Sequence, residues 1–119
     1  MQIVISAATR GEWEQAATFF SNQLQEGYSI GFHEAGVGVL STTYSLTQII
    51  QLEKPDYIIQ AGIAGAFEGG PSLGEVVIVE DDCLGDLGVM ETNGWKTTAD
   101  LGFANDADLK LVNHYADRL

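Results

Sequence analysis

Apolar positions along the chain switch repeatedly between a strand-like and a helix-like period. Gln2-Ile-Val-Ile-Ser6 is a short continuous apolar run, as in a buried strand. Ala7-Ala-Thr-Arg-Gly11 follows as a turn of mostly small residues. Trp13, Ala16, Ala17, Phe20 and Leu24 then recur at helical spacing and predict an amphipathic helix over residues 12–25. Gly27 ends it. Tyr28-Ser-Ile-Gly-Phe-His33 alternates with period two and predicts a second strand. Glu34-Ala-Gly-Val-Gly-Val-Leu40 is a glycine turn, and Leu46, Ile49, Ile50 and Glu53 share one helical face, which predicts a helix at about 41–53 stopped by Pro55. Strands are expected at Tyr57–Ala61 and Glu75–Val79. After Glu80-Asp-Asp-Cys-Leu-Gly-Asp-Leu-Gly88, a polar region through Gly102 shows no assignable period. Leu109, Val112, Ala116 and Leu119 mark a last helix at about 106–118. Strands alternating with helices predict an α/β fold, with a mixed, largely parallel sheet flanked by helices. The chain carries no repeat, linker or low-complexity tract and reads as one domain, residues 1–119.

The stretch from Asp56 to Val79 organises the rest. The strand Tyr57-Ile-Ile59 runs into Ala61-Gly-Ile-Ala-Gly-Ala66, which has almost no side-chain bulk. Backbone there can approach a ligand closely and offer N–H groups to it. In an open α/β sheet, such a turn lies at the carboxyl end of a strand, where ligands bind. Close packing of turn against sheet explains the same glycines equally well, because a G-x-x-G is a weak signal alone.

Composition narrows the partners. Seventeen acids against five Lys and Arg give a net charge of −12. That balance argues against nucleic acid and against an anionic membrane surface. The 45% hydrophobic content is enough for a folded core. One cysteine, Cys83, permits no internal disulfide and fits a reducing cytoplasm. The start of the chain has no secretory signal pattern, and no apolar run approaches the length of a membrane span.

Few side chains advertise chemistry. Gly36-Val-Gly38 and Gly62-Ile-Ala-Gly65 fall short of a dinucleotide fingerprint, and no P-loop lysine follows either. Ser6 and Ser41 lack a nucleophile elbow, and His33 and His114 have no evident partner. Glu80-Asp-Asp82 with Asp86 lacks calcium-loop spacing and reads as a solvated acidic loop. Glu12 stands apart. It lies one turn into the helix after the first strand, on the side of the sheet where ligands bind, and a carboxylate there can serve as a base. The alternative is a first-turn carboxylate that answers the helix dipole.

Four segments taken together resemble the nucleoside phosphorylase/nucleosidase superfamily. They are Ile3-Val-Ile-Ser-Ala-Ala-Thr-Arg-Gly-Glu12, Glu34-Ala-Gly-Val-Gly38, Pro55-Asp-Tyr-Ile-Ile-Gln-Ala-Gly-Ile-Ala-Gly-Ala-Phe67 and Leu73-Gly-Glu-Val-Val-Ile-Val79. Within it they look closest to S-adenosylhomocysteine/methylthioadenosine nucleosidase and, more closely, futalosine hydrolase. The Gly62–Phe67 run and Gly85-Asp-Leu-Gly88 favour the latter. The resemblance covers residues 1 to about 110 and implies a phosphorylase/hydrolase-like fold that is incomplete at the C-terminus.

It also implies hydrolysis of a purine nucleoside at its N-glycosidic bond, with no cofactor and no metal. The substrate would be futalosine, releasing hypoxanthine in menaquinone synthesis, or methylthioadenosine, releasing adenine. A phosphorylase fits less well, because no Gly-Asp-Pro-x-Arg loop is present near the start. Glu12 would activate water. Ala8, Gly62, Ile63, Ala64 and Gly65 would line the nucleophile and ribose region, with Ile63 standing where the methylthioadenosine enzymes carry serine. The Met-Glu pair, the base-stacking aromatic and the acidic Asp that the superfamily places in its second half have no counterpart here. A truncated or split enzyme, or a non-catalytic nucleoside-binding module, is therefore the alternative. The resemblance implies a homodimer or larger assembly, with Trp95 and Phe103 as candidate contacts.

Overall fold

A computed structural model describes residues 1–21, 26–105 and 110–116. The chain divides into two compact units, Met1–Gly65 and Ala66–Leu119.

The first unit is built as β1 (Gln2–Ala7), α1 (Arg10–Ser21), β2 (Ser29–Glu34), α2 (Val39–Leu52) and β3 (Tyr57–Gln60). The three strands form a parallel sheet in the order β2-β1-β3. The sheet expected to be largely parallel is wholly parallel in this unit. Register is continuous across it: Ile5 sits beside Phe32 and Ile59, and Ser6 beside His33 and Gln60. The central strand carries most of the core. Val4, Ser6 and Ala7 are buried, with Ala35 joining them at the end of β2. On α1, Trp13, Ala16, Ala17 and Phe20 form the half-buried stripe that the sequence spacing predicts. Trp13 stacks on Phe32, ring centroids 5.3 Å apart. Leu24 lies outside the described residues.

Helix α2 starts two residues before its expected position, at Val39. Gly38 caps it with φ 89° and ψ 155°, a backbone conformation close to glycine-only. Its half-buried stripe is Thr42, Ser45, Leu46 and Ile49, whereas Ile50 turns outward, 53% exposed. At its end Lys54 takes φ 48°, the left-handed conformation that often closes a helix, and Pro55 prevents continuation. Asp56 ties β3 to the amino end of β1: its carboxylate accepts from the Gln2 amide at 2.7 Å, and its own amide donates to the Gln2 carbonyl at 2.9 Å.

The second unit contains β4 (Asp81–Cys83), β5 (Gly88–Glu91), β6 (Gly94–Thr97) and β7 (Lys110–Val112). They form two antiparallel pairs, β4 with β7 and the hairpin β5–β6. Two expectations fail here. Glu75–Val79 has no ladder partner among the described residues and is not a strand. Its apolar run is exposed, Val76 at 93%, because β-branched residues favour extended backbone but only pairing makes a strand. The expected helix at 106–118 is absent over its described part. Residues 106–109 and 117–119 lie outside the described residues, and Lys110–Val112 pairs with β4 instead.

Asn113 supplies the physical reason. Its side-chain amide donates to the Val79 carbonyl, and its Oδ1 accepts from the Tyr115 amide at 3.0 Å. These bonds fold a local turn that competes with helix. Lys110 pairs with Asp81 at 2.9 Å, and Asp82 accepts from the Cys83 amide. The acidic loop is thus engaged locally. No cluster of three or more metal-ligating side chains occurs among the described residues. Among them, no helix is long and apolar enough to cross a membrane. Trp95 lies on β6 with its ring over Gly88, and Phe103 is 82% exposed.

Candidate active site

The strand order determines where a site can form. From β1 the chain passes through α1 to β2 on one side, then through α2 to β3 on the other. The connections leaving β1 and β2 therefore run in opposite directions across the sheet, and the crevice at the carboxyl ends of β1 and β3 lies where that direction reverses, a topological switch point. The turn Ala7–Thr9 leaves β1 there, and Ala61–Gly65 leaves β3. Main-chain bonds hold both in place. The Ala61 amide donates to Ser6 O at 2.8 Å, the Ala35 amide to Ala7 O at 2.8 Å and the Gly36 amide to Ala8 O at 3.1 Å.

Glu12 reaches across this crevice. Its Oε2 accepts from the Thr9 amide at 2.8 Å and from the Thr9 hydroxyl at 2.9 Å. Its Oε1 accepts from the Ile63 amide at 3.3 Å. A Cβ built on Gly62 would lie 3.4 Å from that same oxygen. Of the sequence-derived candidates, Glu12, Gly62 and Ile63 are thus brought together. Ala8 is half-buried beside them and spends its carbonyl on Gly36. Ala64 and Gly65 continue the turn, exposed, without a hydrogen bond to Glu12. The bare turn presents backbone to the carboxylate, and the Ile63 side chain points to solvent, 88% exposed.

These contacts set the charge. The Thr9 amide, then its hydroxyl, hold the Glu12 carboxyl below the usual carboxylate range; partial burial opposes them, and the Ile63 amide adds a smaller downward pull. Glu12 is therefore an anion throughout the neutral range. A half-buried anion with one oxygen doubly bonded and the other facing a backbone turn can orient water and stabilise a developing positive charge. Glu14 differs in every respect. It is exposed and bound to Arg10 at 2.9 Å.

Two polar contacts escaped the sequence reading. Thr9 was visible in principle, because Thr9-Arg-Gly-Glu12 matches the S/T-x-x-E pattern of a capping box. His33, expected to lack a partner, has one: its Nε2 lies 2.5 Å from Ser45 Oγ on α2. No local pattern announces that pair, since twelve residues and a turn separate the two.

Sequence comparison bears on this geometry. A futalosine hydrolase of Thermus thermophilus is 35% identical over 66 residues, 56% of this chain and 29% of that protein. The chain is related to the nucleosidases. A 5′-methylthioadenosine/S-adenosylhomocysteine nucleosidase of Maridesulfovibrio salexigens is 33% identical over 52 residues, 44% of this chain and 22% of that protein. The corresponding Bacillus subtilis enzyme is 34% identical over 62 residues, 52% of this chain and 27% of its own. The matched segments thus span less than a third of the length of these nucleosidases. The matches cover about half of this chain, less than the residues 1 to about 110 over which the motifs read as similar. No family model and no solved structure matches.

Proposed function

We propose that this chain carries part of the active site of a purine nucleosidase, with futalosine as substrate and Glu12 as the group that activates water. The observation that carries the reading is the Glu12 carboxylate held between the β1 and β3 turns at the switch point. The nucleosidase relatives support the reaction class. In the reaction, the water oxygen bonds to the anomeric carbon as the bond from that carbon to the base breaks. The electron pair leaves with the base, and the water proton passes to Glu12. The ribosyl group is oxocarbenium-like at the transition state, which a fixed anion stabilises. Gly62, Ile63, Ala64 and Gly65 would lie against the sugar, with Ala8 behind the nucleophile. On this reading the acid that protonates the departing base comes from outside these 119 residues.

Methylthioadenosine is the second candidate substrate, because nucleosidases with that printed specificity match over a similar share of the chain. The reading also places the protein in the cytoplasm, in menaquinone synthesis, as a homodimer or larger assembly.

The test is chromatographic detection of free base after incubation with futalosine and, separately, methylthioadenosine. Hypoxanthine release from the first is the expected result, and adenine release from the second would move the assignment to the other nucleosidase. Glu12→Gln should slow release by about two to four powers of ten, the usual worth of a general base. Glu14→Gln should be silent. Saturable binding without release would make the chain a nucleoside-binding module. A wild-type rate in Glu12→Gln would remove Glu12 from the mechanism.

A further inference from the structure

We propose that Thr9 is the positioning residue of this site: its amide and its hydroxyl both hold Glu12 Oε2, leaving Oε1 as the oxygen that meets water. The inference rests on the nucleosidase reading for its catalytic meaning, though not for its geometry.

An ionised carboxylate only accepts hydrogen bonds, at about two lone-pair positions on each oxygen. Thr9 supplies two donors to Oε2. The Ile63 amide supplies one to Oε1, at the longer distance of 3.3 Å. Glu12 therefore keeps one acceptor position without a protein donor among the described residues. That position lies on the oxygen beside Gly62, where a glycine leaves the approach open. Thr9 thus decides which oxygen works and from which side.

The hydroxyl's bond goes beyond helix capping. In a capping box the N3 carboxylate accepts from the N-cap amide, as Glu12 does from Thr9, but the threonine hydroxyl accepts from the N3 amide. Here the Glu12 amide goes to the Thr9 carbonyl at 3.2 Å, and the hydroxyl donates to the carboxylate. The hydroxyl is spent on the side chain, not on the helix. No neighbouring charge does the same work. Arg10 and Glu14 are paired with each other, and Glu12 makes no ion pair among the described residues. β1 and the 61–65 turn carry no titratable side chain. On β2, His33 is engaged by Ser45, and Glu34 is exposed at the strand end.

Two variants of the full chain test the proposal. Thr9→Ser keeps the donating hydroxyl. Thr9→Val keeps the size and adds no charge, but its side chain cannot donate. Carboxyl-carbon NMR titration should find Glu12 below the usual glutamate range in the wild type and in Thr9→Ser, and shifted upward in Thr9→Val. The Ile63 amide resonance should follow the Glu12 titration in the wild type. Base release should fall by about ten- to a hundredfold in Thr9→Val, the scale of a small misplacement of a catalytic group, and the acidic limb of its rate profile should move up in pH with the Glu12 titration. Thr9→Ser should keep the wild-type rate and profile.

An unchanged Glu12 titration in Thr9→Val would overturn the proposal, as would an Ile63 amide indifferent to it. If the wild type releases no base while the NMR results hold, the nucleosidase reading fails and the positioning geometry stands.

Discussion

Replacing Gly36 by alanine tests the support beneath the site. The Gly36 amide donates to Ala8, its carbonyl accepts from the Thr42 hydroxyl at 3.1 Å, and its φ is +84°. An alanine there faces two costs. Left-handed backbone costs an L-residue about 1–2 kcal/mol. The new Cβ would also stand 2.9 Å from Ser41 Cβ at the start of α2. Carbon–carbon contact is comfortable near 3.5–4.0 Å, and forced overpacking of this kind typically costs about 1–3 kcal/mol. Against these, alanine reduces the freedom of the unfolded chain, returning about 0.5–1 kcal/mol. The net loss should be about 1–4 kcal/mol.

Gly38 separates the two contributions. Its φ is +89° and its ψ 155°, but nothing lies within 4 Å of a built Cβ, so Gly38→Ala should show the backbone cost alone, about 1–3 kcal/mol. Gly65, with open space and no left-handed φ, should tolerate alanine within about 0.5 kcal/mol. Urea denaturation followed by circular dichroism measures all three. A double-mutant cycle with Ser41→Gly should recover the steric part, because only that part is shared between the two residues. If the cycle shows no coupling, the close approach of the Gly36 turn to α2 is wrong.

Three further outcomes are expected. Gly88→Ala should abolish the β5–β6 hairpin, seen as lost cross-strand NMR contacts, because the new Cβ would collide with the Lys96 carbonyl and meet the Trp95 ring at 2.7 Å; an intact hairpin refutes that packing. Ser6→Ala should be neutral or stabilising by up to about 1 kcal/mol, since its hydroxyl is fully buried with no partner among the described residues; a clear loss on denaturation would reveal a partner. Stability should also respond to pH at both ends. The Thr97 amide and hydroxyl hold the Asp100 carboxyl below its usual range, so its contribution is present at neutral pH and lost as pH falls through the lowered value; Asp100→Asn should remove that part of the acid sensitivity. Asp81 raises Lys110, so that contribution is full below the ordinary lysine value and lost as pH rises through the raised one; Lys110→Met should flatten the alkaline limb of a stability profile.

The first unit was legible because its signals are local and agree with one another. The stripe Trp13-Ala16-Ala17-Phe20 has one reading, and a continuous run such as Ile3-Val4-Ile5 between small-residue turns has few. Glu12 and the 61–65 turn could be named from their places after β1 and β3, since an α/β sheet gathers those ends together. Their contact could not be named, because the Ile63 amide is backbone and leaves no trace in side-chain pattern.

The second unit misled for the opposite reason. Val76-Val-Ile-Val79 has strong strand propensity, but propensity supplies no partner. The spacing Leu109-Val112-Ala116-Leu119 is helical, but Asn113 inside it makes bonds to Val79 and Tyr115 that spacing cannot reveal. The hairpin of β5 and β6 hides a different signal: Trp95 packs over Gly88, so the hydrophobic cover comes from across the strand pair and leaves the period along each strand weak.

The lowered affinity of Glu12 for protons looks at first unsuited to a base. A general base works best with a pKa near the working pH, and three backbone and hydroxyl donors move Glu12 the other way. The difficulty disappears if the carboxylate acts first as a charge. In an oxocarbenium-like reaction, the sugar becomes positive before the water has fully bonded, so an anion that never protonates at neutral pH is in place when it is needed. The water turns strongly acidic only as its oxygen joins the anomeric carbon, and a weak base can accept the proton then. Donors that depress the pKa also fix the oxygen positions, which a freely rotating carboxylate of ordinary pKa would not offer. On the proposed nucleosidase reading, one set of hydrogen bonds from Thr9 and Ile63 therefore serves charge and alignment together, at the expense of a basicity that such chemistry uses last.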